Sequence, residues 1–117
     1  MREIQALLEW LRNLGRPLVV IGFSQGGVIA FEASKGLAND TVLVASYFVE
    51  TKLRRTNQTY YFLHDKKDSA VPYEWGRLCF EAVKKAGLKA EFIESHAGHR
   101  LVGDETDACL SKIIARY

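Results

Sequence analysis

The stretch Val19-Val20-Ile21-Gly22-Phe23-Ser24-Gln25-Gly26-Gly27-Val28-Ile29-Ala30 decides how the rest of the chain is read. The apolar run Leu18 to Ile21 leads into Gly-x-Ser-x-Gly, and a helical pattern begins directly behind it. That order predicts a strand, a sharp turn and a helix, with Ser24 at the apex. Gly22 and Gly26 are expected to be the positions where a side chain would obstruct the helix as it passes over the strand. Such a turn exposes the Ser24 hydroxyl and points a helix N-terminus at it. The backbone N–H of Gln25 is then a candidate donor to an oxyanion.

Working outward, Ile4, Leu7, Leu8, Leu11 and Leu14 recur at helical spacing and predict an amphipathic helix over 2–14, stopped by Gly15 and Pro17. Leu18–Phe23 is apolar without alternation and should be covered on both faces, as in a parallel sheet. A helix over 25–37 follows, then buried-type strands over 41–46 and 59–64. Between those strands, 47–58 reads as a solvated loop or lid, with Lys52, Arg54 and Arg55 forming a wet face. Pro72 opens a helix whose apolar face is Trp75, Leu78, Cys79, Ala82, Val83 and Ala86. A fourth strand over 90–95 carries Glu91 and Glu94, as a protected edge does. A last helix over 105–117 turns Cys109, Leu110, Ile113, Ile114 and Tyr117 inward. Strands joined by helical crossovers run parallel, so the expectation is one α/β domain over residues 1–117, a parallel sheet of four strands with flanking helices. The loops carrying Ser24, Asp65 and Asp68, and His96 and His99 then open along one edge, where such sheets bind ligands.

Sixteen basic against fourteen acidic residues leave a net charge of +2, which gives no electrostatic reason to expect nucleic acid or an anionic membrane as partner. Cys79 and Cys109 fall among apolar neighbours in helical patterns and are expected as buried, reduced thiols. No segment has membrane-spanning length, and Met1 leads into an amphipathic pattern rather than a signal peptide, so a cytoplasmic location is expected.

Chemistry is carried by the order Ser24, Asp68, His99. A serine hydroxyl is a poor nucleophile until a histidine takes its proton, and the histidine needs a carboxylate to fix its tautomer. Asp65 and Asp104 are alternative acids, with spacing in favour of Asp68. His64, at a strand end, is expected to be structural. His96 and His99 lie three apart without a further ligand cluster, so no metal is expected.

Gly22-Phe23-Ser24-Gln25-Gly26-Gly27 resembles the elbow of the phospholipase/carboxylesterase family of α/β-hydrolases, which includes the acyl-protein thioesterases. Leu63-His64-Asp65-x-x-Asp68-x-x-Val71-Pro72 resembles that family's Leu-His-Gly-x-x-Asp-x-x-Val-Pro segment, and Gly98-His99 its Gly-His. The resemblance implies Ser24 as nucleophile, Asp68 as acid, His99 as base and the Gln25 N–H as an oxyanion donor. The implied activity is hydrolysis of small carboxylic esters or thioesters through an acyl-enzyme, without a cofactor. The match is to the C-terminal half of the family fold. The family's first strands, and the loop that supplies its second oxyanion N–H, have no counterpart here, and Asp65 stands where the family has glycine. Two alternatives follow: a catalytically impaired remnant, or one subunit of a split hydrolase acting as an assembly protein. Because Leu18–Phe23 has a neighbour on one side only and carries no charge, a homodimer through that strand edge is expected.

Overall fold

The computed structural model describes residues 2–49, 53 and 56–117. In chain order the elements are α1 (Arg2–Arg12), β1 (Val19–Phe23), α2 (Gly26–Ser34), β2 (Asp40–Val44), β3 (Thr59–His64), α3 (Tyr73–Lys85), β4 (Lys89–Glu94) and α4 (Asp104–Ile114). The four strands form one parallel sheet in the order β1-β2-β3-β4. Register sets Phe23 beside Val44, Val44 beside Leu63, and Leu63 beside Ile93. The C-terminal ends of all four strands therefore share one edge, as the crossover pattern requires.

β2 and β3 are buried along nearly their whole length because helices cover both faces. On one face α2 and α3 bring Phe31, Phe80 and Val83 against Leu43, Tyr60 and Phe62. On the other, α4 sets Cys109 and Ile113 against Val42, Val44, Tyr61 and Leu63. Each fully buried aromatic or branched side chain of this kind contributes roughly 1.5–3 kcal/mol. The two faces use alternate residues of the same strands, and that is why neither strand shows a polar period. Both cysteines are buried and free.

Several expectations change. β1 is not covered on both faces. Ile21 has the parity of Val19 and Phe23, which pack at the α4 side, yet it is 43% exposed. α4 sits over β2 and β3 and does not reach across to Ile21. The stripe of α1 is likewise not an inward face: Leu8 is buried, while Ile4, Leu7 and Leu14 are exposed. Among the described residues α1 packs on α2, and most of its stripe stays exposed. In α3 the inward residues are Gly76, Cys79, Phe80 and Val83, whereas Trp75, Leu78 and Ala82 face out. In α4, Cys109 and Ile113 are buried, but Ile114 and Tyr117 are exposed.

The segment after β2 does not begin as a solvated loop. Phe48 stacks on Phe31 with ring centroids 3.9 Å apart. Its N–H donates to Cys79 Sγ at 3.3 Å, and Tyr47 and Leu53 pack on the same core. The basic residues Lys52, Arg54 and Arg55 lie outside the described residues.

At the N-terminal end of the sheet, Asp40 is 1% exposed. Its carboxylate accepts from Arg116 Nη2 at 2.9 Å and from Tyr117 Oη at 2.6 Å, and Arg116 also donates to Tyr61 Oη at 2.9 Å. A buried carboxylate needs such partners to remain charged. The residues after α4 thus clamp the base of β2.

Candidate active site

Ser24 follows β1 directly and sits at φ +53°. Left-handed backbone is uncommon for a residue with a Cβ and costs on the order of 1 kcal/mol or more. Three bonds hold it there. Its N–H donates to Val44 O at 3.1 Å, and its carbonyl accepts from Gly27 N–H at 3.0 Å and from Ser46 Oγ at 2.6 Å. Ser46, expected only as the end of a strand, ties the loop after β2 to the turn.

The close approach is made at Gly22 and Gly27. A Cβ on Gly22 would lie 2.6 Å from Gly27 Cα and 2.7 Å from Ala30 Cβ. A Cβ on Gly27 would lie 1.5 Å from Ser46 Oγ. A Cβ on Gly26 would meet nothing within 4 Å, so the expectation placed on Gly26 belongs to Gly27. Gly26 opens α2 on the solvent side of the turn, and Gly27 is the residue pressed onto the loop after β2. Gln25 lies between Ser24 and α2 in helical conformation, and among the described residues its N–H is taken by no backbone acceptor.

Asp68 lies in the loop after β3, with its side chain wholly buried. One carboxylate oxygen accepts from the N–H groups of Ala70 and Val71, each at 2.8 Å. The other lies 2.9 Å from His99 Nδ1. Burial pushes the Asp68 carboxyl up. The hydrogen bonds from His99, Val71 and Ala70 together outweigh it and hold the group below the usual carboxylate range. An ionised carboxylate can only accept, so His99 Nδ1 is the donor of this pair.

His64 is buried beside this pair. Its Nε2 donates to Val71 O at 2.8 Å and lies 3.4 Å from Asp68. That makes it a support for the loop, as expected of a strand-end histidine. Asp65 bonds to no histidine: its oxygens accept from Lys67 N–H and Gly98 N–H. Its backbone is not left-handed, so the position requires no glycine. Asp104 opens α4 on the surface, and the carboxylate bonded to His99 is that of Asp68. His96 pairs with Glu105 on the exposed side.

The structure thus brings Asp68 and His99 together and places Ser24 on the same sheet edge. The Phe23 ring packs against the His99 ring at 5.0 Å. Among the described residues no hydrogen bond joins Ser24 Oγ to His99. An open cavity of about 370 Å³ lies against Ser24, Gln25 and Gly26, with Tyr47, Val71 and Trp75 as its apolar wall. Tyr47 and Trp75 meet edge to face at 5.3 Å. The outward turn of Trp75 therefore lines this cavity. Neither thiol is available as a nucleophile, since burial raises both, Cys109 to about 11. Among the described residues no group of three or more His, Cys, Asp or Glu is arranged to hold a metal ion.

The α/β-hydrolase family model described as TAP-like protein matches residues 40–117. The chain is 26% identical over 110 residues to acyl-protein thioesterase 1 homolog 1 of Dictyostelium discoideum, covering 85% of this chain and 48% of that protein. It spans about half the length of that relative. Among solved structures, Arabidopsis thaliana SOBER1 superposes with a TM-score of 0.84 at 17% identity, over 98% of this chain and 61% of that one. The Bacillus cereus carboxylesterase gives 0.78 at 14% identity, over 99% and 59%. No helix among the described residues is long and apolar enough to cross a membrane.

Proposed function

The chain belongs to the TAP-like family of α/β-hydrolases, and on that premise we propose that it is a serine hydrolase cleaving carboxylic esters or thioesters through an acyl-enzyme on Ser24. The observation that carries the reading is the 2.9 Å bond between wholly buried Asp68 and His99, on the sheet edge where Ser24 is held at a left-handed turn. His99 Nε2 takes the Ser24 proton as Oγ attacks the substrate carbonyl carbon. Asp68 keeps the second ring proton on Nδ1 and stabilises the imidazolium that forms. The Gln25 N–H is aimed at the developing oxyanion. As the carbon–oxygen or carbon–sulfur bond breaks, His99 returns its proton to the leaving alcohol or thiol. Water activated by the same ring then releases the acid and restores Ser24. The cavity walled by Tyr47, Val71 and Trp75 suits an apolar acyl group.

The test is labelling by a fluorophosphonate. The wild-type chain should be labelled, and Ser24→Ala and His99→Ala should not. Equal labelling of Ser24→Ala would sink the assignment.

A second reading rests on β1, which has a strand neighbour on one side only and leaves Ile21 uncovered. In it the chain is one part of an assembly, impaired alone, its β1 edge covered by a second copy or by another polypeptide of a split hydrolase. A labelled wild-type chain at monomer mass would discard that reading.

A further inference from the structure

Two loops meet at the site, one carrying Asp68 and the other His99, and Asp65 is bonded into both. The residue is 7% exposed. One carboxylate oxygen accepts from Lys67 N–H at 2.8 Å, and the Asp65 carbonyl accepts from Asp68 N–H at 3.1 Å, so its side chain is locked into the turn that delivers Asp68. The other carboxylate oxygen accepts from Gly98 N–H at 2.8 Å, across to the residue before His99. Gly98 turns the chain at φ +69°, so the direction in which His99 leaves depends on how Gly98 is held. Among the described residues, the side-chain hydrogen bonds joining the two loops are this one and the Asp68–His99 bond itself.

We propose that Asp65 is a positioning residue: by holding the Gly98 N–H it aims the His99 imidazole at Asp68, so that ring orientation does not depend on the Asp68–His99 bond alone. The inference rests on the reading of His99 as the general base. Two features support it. The N–H groups of Lys67 and Gly98 hold the Asp65 carboxyl below its usual range against the opposing effect of burial, so both oxygens are charged acceptors at neutral pH. The geometry also uses both oxygens at once. An asparagine has one carbonyl oxygen, and its amide nitrogen cannot accept a second N–H.

The experiment compares the wild-type chain with Asp65→Asn and Asp65→Ala, using a p-nitrophenyl ester and proton NMR of the His99 Nδ1–H. Loss of alignment should lower kcat about 10- to 100-fold, because sub-ångström misplacement of a general base is costly. KM should stay within about twofold, because Asp65 does not line the cavity. The Nδ1–H resonance should be sharp in the wild type and exchange-broadened in Asp65→Asn, with the remaining spectrum that of a folded protein. In the wild type itself, the Gly98 amide should exchange about 100-fold or more slowly than a free amide. Unchanged kcat with an unchanged Nδ1–H resonance in a folded variant would overturn the proposal, as would free exchange at Gly98. A wild-type chain that takes no fluorophosphonate label defeats the hydrolase reading instead. The NMR and exchange measurements need no turnover and decide the role of Asp65 in either case.

Discussion

Ser46 Oγ donates a 2.6 Å hydrogen bond to the carbonyl of Ser24, from the loop after β2 to the turn after β1. It fixes the left-handed residue from outside its own loop, next to the contact that forbids a side chain on Gly27. Ser46→Ala should cost about 1 kcal/mol of stability. It should also lower the labelling rate of Ser24 by more than that loss of stability accounts for. Urea unfolding and timed fluorophosphonate labelling give the two numbers, and an unaltered labelling rate removes Ser46 from the support of the turn.

Gly26→Ala and Gly27→Ala differ by one position and should differ in sign. Alanine at Gly26 enters open space in the first turn of α2, where it should stabilise by about 0.5–1 kcal/mol. Alanine at Gly27 meets Ser46 and should destabilise by roughly 3 kcal/mol. Equal midpoints in urea for the two variants would contradict the packing described here.

Asp68→Asn should leave the fold in place and remove about three to four decades of kcat, because an amide at this position reverses the tautomer preference of His99. Asp68→Ala should in addition melt at lower temperature, since it strands the N–H groups of Ala70 and Val71. An Asp68→Asn enzyme within tenfold of the wild type would argue for another acid.

Stability should fall on acidification below about pH 4 and stay flat between about pH 5 and 8 as far as these groups decide it. Asp65 and Asp68 both have carboxyls held below the ordinary aspartate value of 3.8. A depressed folded value means that the unfolded chain binds protons first, so the contribution is complete only above the ordinary unfolded value of 3.8. It is lost as pH falls through the lower folded one. In Asp65→Asn the acid limb should be shallower by one group. Thermal melts from pH 2.5 to 7 check this.

A homodimer through the open edge of β1 should run at twice 13.2 kDa in sedimentation. Ile21→Lys should return it to monomer without unfolding, because Ile21 is already 43% exposed and a charge in the middle of an edge strand opposes edge-to-edge pairing. A wild-type chain at monomer mass at micromolar concentration refutes the dimer.

The parallel order of the strands was legible because β2 and β3 lack a polar period and helical patterns separate most of the segments. That the loops carrying Ser24, Asp68 and His99 open on one sheet edge was legible as well, because parallel strands put their C-terminal ends together. What escaped was decided by distance. A period of 3.6 residues leaves α3 two candidate stripes one position apart, and the cavity beside Ser24 draws Trp75 outward while Phe80 takes the core. The exchange of Gly26 for Gly27 turns on where Ser46 lies, and sequence spacing does not report that. Asp65 looked like a tolerated departure from a glycine, because its acceptor role exists only once Gly98 is brought alongside. The stripe on α1 promised burial, yet most of it stays exposed among the described residues.

The clamp of Arg116 and Tyr117 on Asp40 has a practical consequence for handling the protein. It holds Arg116 and Tyr117 at the end of the sheet opposite Ser24. A fluorophore or affinity handle placed beside Tyr117 starts from an anchored point and leaves the cavity beside Ser24 unobstructed. Immobilised there, the chain would present Ser24 to the bulk solution. A fusion that pulled Arg116 away would instead uncover a buried carboxylate beneath α4, and would announce itself as a lowered melting temperature before any change in chemistry.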